Sequence, residues 1–477
     1  MFMRFYSQTR AEPGAGNFPA KVLRQSTIFF QLIAACQLAM NDYEYHALDV
    51  GDSTPLAFAV VFTAMCSQLH TPDSAPRRHL PLDLPRRWDL VGPICIIFLL
   101  LFGISAIHSA QMATHGHQWR GQMTWFFAGT LLYIFCARID YRFFLRHAHW
   151  IYAGGIFLLL LTWTSLGVRR YGALRWIRIF GVQLQPAELA KLSTVIMMAA
   201  ALSGSKVSSV AESKWSLLRA FAIFFPPWML IFLQPDLGSA LILPPILLAL
   251  LYVSELSSRF FLILAWLGFL LLSALAWDMF RYRNFLEENG LRPDQGLGSY
   301  QVHSPLPLKD YQRNRILGFV APEVVDPDGT GISWNLRQSL IAVGSGGFLG
   351  KGSGGGEQAQ LGYLPRSVAT NDFLFSVLAE EKGFWGTMTV LLLLMLLVAN
   401  NLHIAQLSHC RFGRYLAVAI AVLIAMHTAV NVGMTIGLMP ITGVPLPFLS
   451  YGGSFLIVCC TLQGIVQSVY HRRQNLQ

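Results

Sequence analysis

Apolar residues along this chain collect into long runs rather than alternating with polar ones, and ten such runs follow residue 88. They cover roughly 90–109, 122–139, 150–167, 187–203, 216–234, 238–254, 260–279, 373–400, 414–438 and 447–470. Each is close to the roughly 17–25 residues that a helix needs to cross a hydrocarbon core. Backbone polar groups cannot stay unpaired in lipid, so runs of this kind predict helices. One polar stretch rich in Gly and Pro, residues 280–372, separates the seventh run from the eighth. The pattern predicts an all-α polytopic membrane protein, with about ten transmembrane helices and one large loop between helices seven and eight. Residues 1–88 differ, since their apolar stretches at 28–40 and 55–65 are too short to span. A cytoplasmic extension is expected there, ahead of a membrane domain over 89–473.

Composition agrees with this reading. Of 477 residues, 54% are hydrophobic and 13% charged, against about 25% charged in an ordinary soluble domain. The net charge of +10 would suggest nucleic acid in a soluble protein, so the placement of the positive residues decides its meaning. If the segment before the first run is cytoplasmic, the inner flanks carry fifteen Lys and Arg, among them Arg86, Arg87, Arg138, Arg142, Arg411, Arg414, Arg472 and Arg473. The short outer loops carry five: Arg120, Arg169, Arg170, Arg175 and Arg178. The positive-inside rule then puts both ends in the cytoplasm and the large loop outside. The charge orients the chain, and no nucleic-acid partner is expected. The seven cysteines are scattered, with no CxxC pair and no Cys/His cluster, so neither a disulfide framework nor a zinc site is expected. No cleavable signal is expected either, because no small-residue cleavage site follows the first strong apolar run.

Four of the five outer arginines fall within residues 167–186 (GVRRYGALRWIRIFGVQLQP). Two readings stand side by side. Arginine forks suit the oxygens of an anionic ligand. Alternatively, this is an amphipathic segment that keeps Trp176, Ile177, Ile179 and Phe180 at the interface and its arginines in water.

Ionisable residues at span edges are costly and therefore informative. Glu188 and Lys191, in QPAELAK at the outer start of span four, are three residues apart on one helical face. They form either a self-neutralising pair or the polar floor of a site. Asp236, in the QPDLGS turn between spans five and six, reads first as an N-cap. Asp372, where the loop enters span eight, also reads first as a cap. A carboxylate at the water–lipid boundary could instead act as a general base. Glu380 and Glu381 look like a buried polar patch. The segment GSGGFLGKGSGGG, residues 344–356, has Ser345 and Gly352 where a P-loop requires Gly and Ser or Thr, so a flexible turn region is expected. His115 and His117 have no third partner for a metal. The acidic and basic candidates, together with the Gly- and Pro-rich stretch 437–453, all map to the outer face, suggesting a cavity for a ligand with a charged head and an apolar tail.

At these positions the chain resembles the SEDS family (shape, elongation, division and sporulation), and within it the RodA branch. The matching segments are GALRWIRI (172–179), QPAELAK (185–191), QPDLGSA (234–240), DYQRNRIL (310–317), QSLIAVGSGGFLGKG (338–352), NDFLFSVLAEEKGFWG (371–386) and NVGMTIGLMPITGVPLPFLSYGGS (431–454). The resemblance implies a peptidoglycan glycosyltransferase that polymerises lipid II on the outer face of the inner membrane. It also implies a class B penicillin-binding protein as partner, within the elongation machinery. It puts the essential carboxylate on Asp372, the substrate-binding residues on Arg175, Glu188 and Lys191, and secondary positions on Asp236, Pro445, Ser450 and Gly452. The His-Thr that usually precedes the aspartate is Thr370-Asn371 here. A divalent cation, Mg or Mn, would suit pyrophosphate chemistry, but no dedicated ligand cage is visible. A lipid II flippase would need polar access from both sides, whereas the polar groups here gather on one. A non-catalytic scaffold for the transpeptidase is the other alternative.

Overall fold

The computed structural model describes residues 88–473 except 113–115, 171–172, 180–181, 206–212, 235, 291–299, 301–303, 305, 307, 309, 323–325, 327–328, 330 and 332. The expected N-terminal extension therefore lies outside the described residues up to residue 87. A helix stands at each of the ten expected places. These are α1 (Val91–Ala110), α2 (Gln118–Arg138), α4 (Ala148–Leu161), α5 (Pro186–Ser203), α6 (Lys214–Leu233), α7 (Leu237–Val253), α8 (Ser258–Asn289), α13 (Leu374–Leu407), α14 (Arg411–Thr435) and α15 (Gly453–His471). A short α3 (Tyr141–Arg146) precedes α4. Seven of the ten are long and apolar enough to cross a membrane, while α4 and α7 are shorter apolar helices and α2 is less apolar.

Local chemistry sets where these helices begin. Pro186 occupies the first turn of α5, where its fixed φ suits a helix and its missing N–H costs nothing. Asp236 caps α7, its carboxylate accepting from Ser239 N at 3.2 Å. Asp140 caps α3 in the same way through Arg142 N at 2.9 Å. Asp89 accepts from Gly92 N at 2.9 Å and from Asn400 Nδ2 at 2.7 Å, pinning the start of α1 to α13.

Helix α14 is the axis of the bundle, with 83% of its apolar window buried, and it packs on α13, α7, α5 and α15. The pairs α2–α15, α4–α5 and α1–α13 surround it. Helix α8 is the opposite extreme: none of its most apolar stretch is buried within this chain.

The protein is not all-helical. Residues 167–184 form a three-stranded antiparallel sheet, with β1 (Gly167–Arg170), β2 (Ala173–Ile179) and β3 (Val182–Leu184) in that order. Ile177 pairs with both Gly167 and Leu184 and is fully buried. The arginine-rich segment is thus a β-meander. As in any strand its side chains point to alternate faces, Leu174 and Trp176 to one and Arg175 and Ile177 to the other.

The long polar stretch between α8 and α13 is also structured among its described residues. It holds α9 (Asp310–Val320), α10 (Trp334–Ser345) and the single turns α11 (Glu357–Gln360) and α12 (Arg366–Ala369), while α8 runs ten residues past the expected end of its span. A small core of Tyr282, Leu286, Tyr300, Leu317 and Ala321 joins α8 to α9. Beside it Arg313 is fully buried and bonds Asp278 at 2.9 Å and Asp310 at 3.1 Å. The DYQRNRIL segment therefore folds as a helix whose Arg313 ties it to α8 through Asp278.

The expected unbroken eighth span is interrupted. Gly383, with φ 63° and ψ −160°, divides α13 in two. A break at this point strands backbone groups that lipid cannot satisfy. Residues 346–352 supply the partners: Lys351 N and Gly352 N donate to the Glu380 and Glu381 carbonyls at 2.9 and 3.0 Å, and Gly347 O and Phe348 O accept from Phe384 N and Trp385 N at 2.9 and 3.2 Å. The side chains of the two buried glutamates are matched as well, Glu380 to Lys351 Nζ at 2.7 Å and Glu381 to Ser109 Oγ at 2.6 Å. The Gly-rich segment expected to be a flexible turn is a splint for α13.

Candidate active site

Residues 442–454, the end of the α14–α15 connection and the first residues of α15, form a hub on which the ends of several elements converge. On one side is Asp372. It lies one residue outside the N-cap of α13, which is Phe373, a side chain with no oxygen to offer. The expected capping position is thus displaced from Asp372 by one residue. Gly443, with φ 73°, faces the Asp372 carboxylate: a Cβ there would stand in ordinary van der Waals contact, 3.4 Å from Oδ2. The positive φ is what calls for glycine. Around the carboxylate the backbone is fixed at several points. Asn431 Nδ2 donates to Asp372 O at 2.8 Å and to Val444 O at 2.7 Å. Ser450 Oγ donates to Asn371 O at 2.6 Å and accepts from Leu446 N at 2.9 Å. Tyr451 N donates to Thr370 O at 3.0 Å.

On the other side are the ends of α5 and α7 and the sheet. Val444 and Thr442 pack against Gly238 in the first turn of α7. Ser454 Oγ accepts from Gln185 N at 3.3 Å, and Gln185 Nε2 donates to Asp236 Oδ2 at 3.1 Å. Arg175 shares the bundle-facing side of β2 with Ile177. Its Nε donates to Gln234 O at 3.3 Å and its Nη1 stands 3.9 Å from Asp236 Oδ1, with 24% of the side chain exposed. Arg178 is exposed on the opposite face, while the side chains of Arg169 and Arg170 lie outside the described residues. Of the four clustered arginines, Arg175 is therefore the one seen joined to the hub.

Glu188 and Lys191 pair at 2.9 Å, as their spacing implied, and both are sealed from solvent at 2% and 0% exposure. Glu188 Oε2 has no partner among the described residues. Lys191 has a second partner that sequence reasoning missed: His427 Nε2 stands 3.0 Å from Nζ, while His427 Nδ1 reaches Pro445 O at 3.3 Å. The ring stacks on Phe455, centroids 4.6 Å apart. A lone histidine in an apolar span reads as core, so nothing in the sequence marked it.

The site thus holds a carboxylate beside residues 442–454, a buried carboxylate–ammonium–imidazole chain that reaches them through His427, and a partly exposed guanidinium linked to them through Asp236 and Gln185. It can take a proton at Asp372 and receive an anion at Arg175. Among the described residues no group of three His, Cys, Asp or Glu side chains converges to hold a metal ion.

Comparison with known proteins fixes the family. The model of the FtsW, RodA and SpoVE cell cycle proteins matches residues 89–475. The chain belongs to the FtsW/RodA/SpoVE family. Its relatives include the probable peptidoglycan glycosyltransferase FtsW of Trichlorobacter lovleyi, 31% identical over 80% of this chain and 93% of that protein. The peptidoglycan glycosyltransferase MrdB of Escherichia coli K12 is 32% identical over the same shares of the two chains. A chain from a structure of a peptidoglycan synthase complex that coordinates polymerization and crosslinking superposes with a TM-score of 0.63 at 27% identity, covering 81% of this family member and 99% of that chain. Crystalline RodA of Thermus thermophilus shares the fold, with a TM-score of 0.56 at 24% identity, over 81% of this chain and 98% of that one.

Proposed function

We propose that this chain is a peptidoglycan glycosyltransferase that polymerises lipid II into glycan strands on the outer face of the inner membrane, serving cell-wall elongation and cell shape. The observation that carries the reading is the hub loop, which touches Asp372, Lys191 through His427, and the Asp236–Gln185 corner beside Arg175. A base and a cation on two sides of one loop suit a sugar transfer with an anionic leaving group. The acceptor hydroxyl is a weak nucleophile. As its oxygen bonds to the donor sugar's reacting carbon, its proton passes to Asp372 and the bond from that carbon to the lipid pyrophosphate breaks. Arg175 holds the departing negative charge, which is where a fixed cation lowers the barrier most. Lys191, oriented by Glu188, adds positive charge from beneath, and direct contact with pyrophosphate would require the α5–α14 seam to open.

The ten helices are read as ten crossings, with both ends cytoplasmic and residues 280–372 outside, on the strength of the arginine placement. A class B penicillin-binding protein is the proposed partner, supported by the likeness to the synthase-complex chain. Purified protein with that partner and labelled lipid II is expected to form strands. Asp372→Ala should stop synthesis while leaving folding and partner binding intact. Synthesis unaffected by that change removes Asp372 from the mechanism. Lipid II crossing the bilayer without polymerisation would replace the reading by a transporter, and stimulated crosslinking without strand synthesis by a scaffold.

A further inference from the structure

His427 and Asn431 lie four residues apart on α14, hence on one face, and both are fully buried at 0% exposure. Each holds one of two consecutive carbonyls of the hub: Asn431 the Val444 oxygen, His427 the Pro445 oxygen. A carbonyl oxygen only accepts, so His427 Nδ1 carries the ring proton and Nε2 is left to accept from the Lys191 ammonium. Lys191 is thereby shared between His427 at 3.0 Å and Glu188 at 2.9 Å. The second amide proton of Asn431 goes to the Asp372 carbonyl at 2.8 Å. Its Oδ1 has no partner among the described residues, so the side chain acts here as a donor to two backbone carbonyls.

We propose that His427 and Asn431 are positioning residues: a bracket on one turn of α14 that holds Val444 and Pro445, and through them Gly443, in register between Lys191 and the Asp372 carboxylate. Neither touches the reacting atoms. The bracket fixes the distance from the Asp372 carboxylate to its surroundings, and an ångström of misplacement in such a site costs on the order of 10²-fold in rate. For its effect on rate this inference rests on the glycosyltransferase reading above. Its structural half does not.

The test uses the full chain in lipid nanodiscs, with three variants. His427→Phe keeps a ring to stack on Phe455 but has no nitrogen. Asn431→Leu keeps the volume but donates nothing. His427→Gln restores one donor and one acceptor. Amide hydrogen exchange across 442–450 should accelerate in His427→Phe and Asn431→Leu and return to the parent's protection in His427→Gln. With lipid II and the class B partner, the first two should lose on the order of 10²-fold in kcat with KM near the parent's, and His427→Gln should recover most of it. Unchanged exchange in both disabling variants overturns the bracket. So does lost protection with undiminished turnover. A parent protein that makes no strands sinks the functional reading alone, and the exchange measurement still decides the bracket.

Discussion

Gly383→Ala should unfasten the splint across α13. At φ 63° and ψ −160° the backbone sits in a region essentially reserved for glycine, and an L-residue there costs about 1–3 kcal/mol. The added Cβ would also strike Gly350 N, backbone that cannot swing aside as a side chain can. Relief requires residues 346–352 to back away, breaking the four backbone hydrogen bonds that close the gap. At about 0.5–1.5 kcal/mol each, their loss adds roughly 2–6 kcal/mol, comparable to much of a domain's stability of about 5–15 kcal/mol. Thermal unfolding in detergent, with hydrogen exchange across 346–352, reads both effects. Gly268→Ala is the control: it lies in α8 with nothing within 4 Å of the new methyl and should be neutral or stabilising by about 0.5–1 kcal/mol. If Gly383→Ala unfolds like that control with residues 346–352 still protected, the gap is not held by the splint and the reasoning fails.

Other outcomes follow from the buried charges. Lys191→Met leaves the Glu188 carboxylate buried without its cation and should destabilise by about 3–5 kcal/mol. Adding Glu188→Gln should return part of that loss, and equal losses in single and double variants would show that the pair carries no stability. Arg313→Ala should cost a similar ~3–5 kcal/mol by stranding Asp278 and Asp310, read as faster proteolysis within 280–320; unchanged cleavage would contradict it. Burial pushes the Asp326 carboxyl upward, but hydrogen bonds from the Ser333 hydroxyl and N–H and from Gly331 N–H, with the Arg337 charge, outweigh it and leave it below the usual aspartate range. A depressed folded-state value means stability that is fully present at neutral pH and lost as pH falls below the ordinary carboxylate range. Asp326→Asn should therefore loosen 326–333 at pH 7, with the difference from the parent fading in acid. A difference that grows in acid would reverse the sign.

The helix positions were legible in the sequence because lipid demands long apolar runs, and Pro186 and Asp236 were legible because helix starts have their own chemistry. The sheet was not: Arg175 and Arg178 are three residues apart, so they share one face of a helix but fall on opposite faces of a strand, and no period-two pattern of polar and apolar residues marks the segment. Gly383 was invisible because a glycine in an apolar helix is ordinary until its φ is known. The 344–356 segment looked loose because its partners, Glu380 and Glu381, lie decades of residues away. His427 was missed for the opposite reason: its partners are a lysine on α5 and a proline carbonyl, and no local pattern encodes either.

The near-complete enclosure of α14 implies an order of assembly. This helix is the ninth of the ten apolar helices in chain order, so α5, α7 and the first half of α13 are synthesised before their central neighbour. Until then Lys191 has no imidazole to lean on, yet Glu188 is already three residues away on its own helix and needs no tertiary contact to neutralise it. The intrahelical pair thus lets the earlier helices carry a charge whose imidazole partner arrives only with α14.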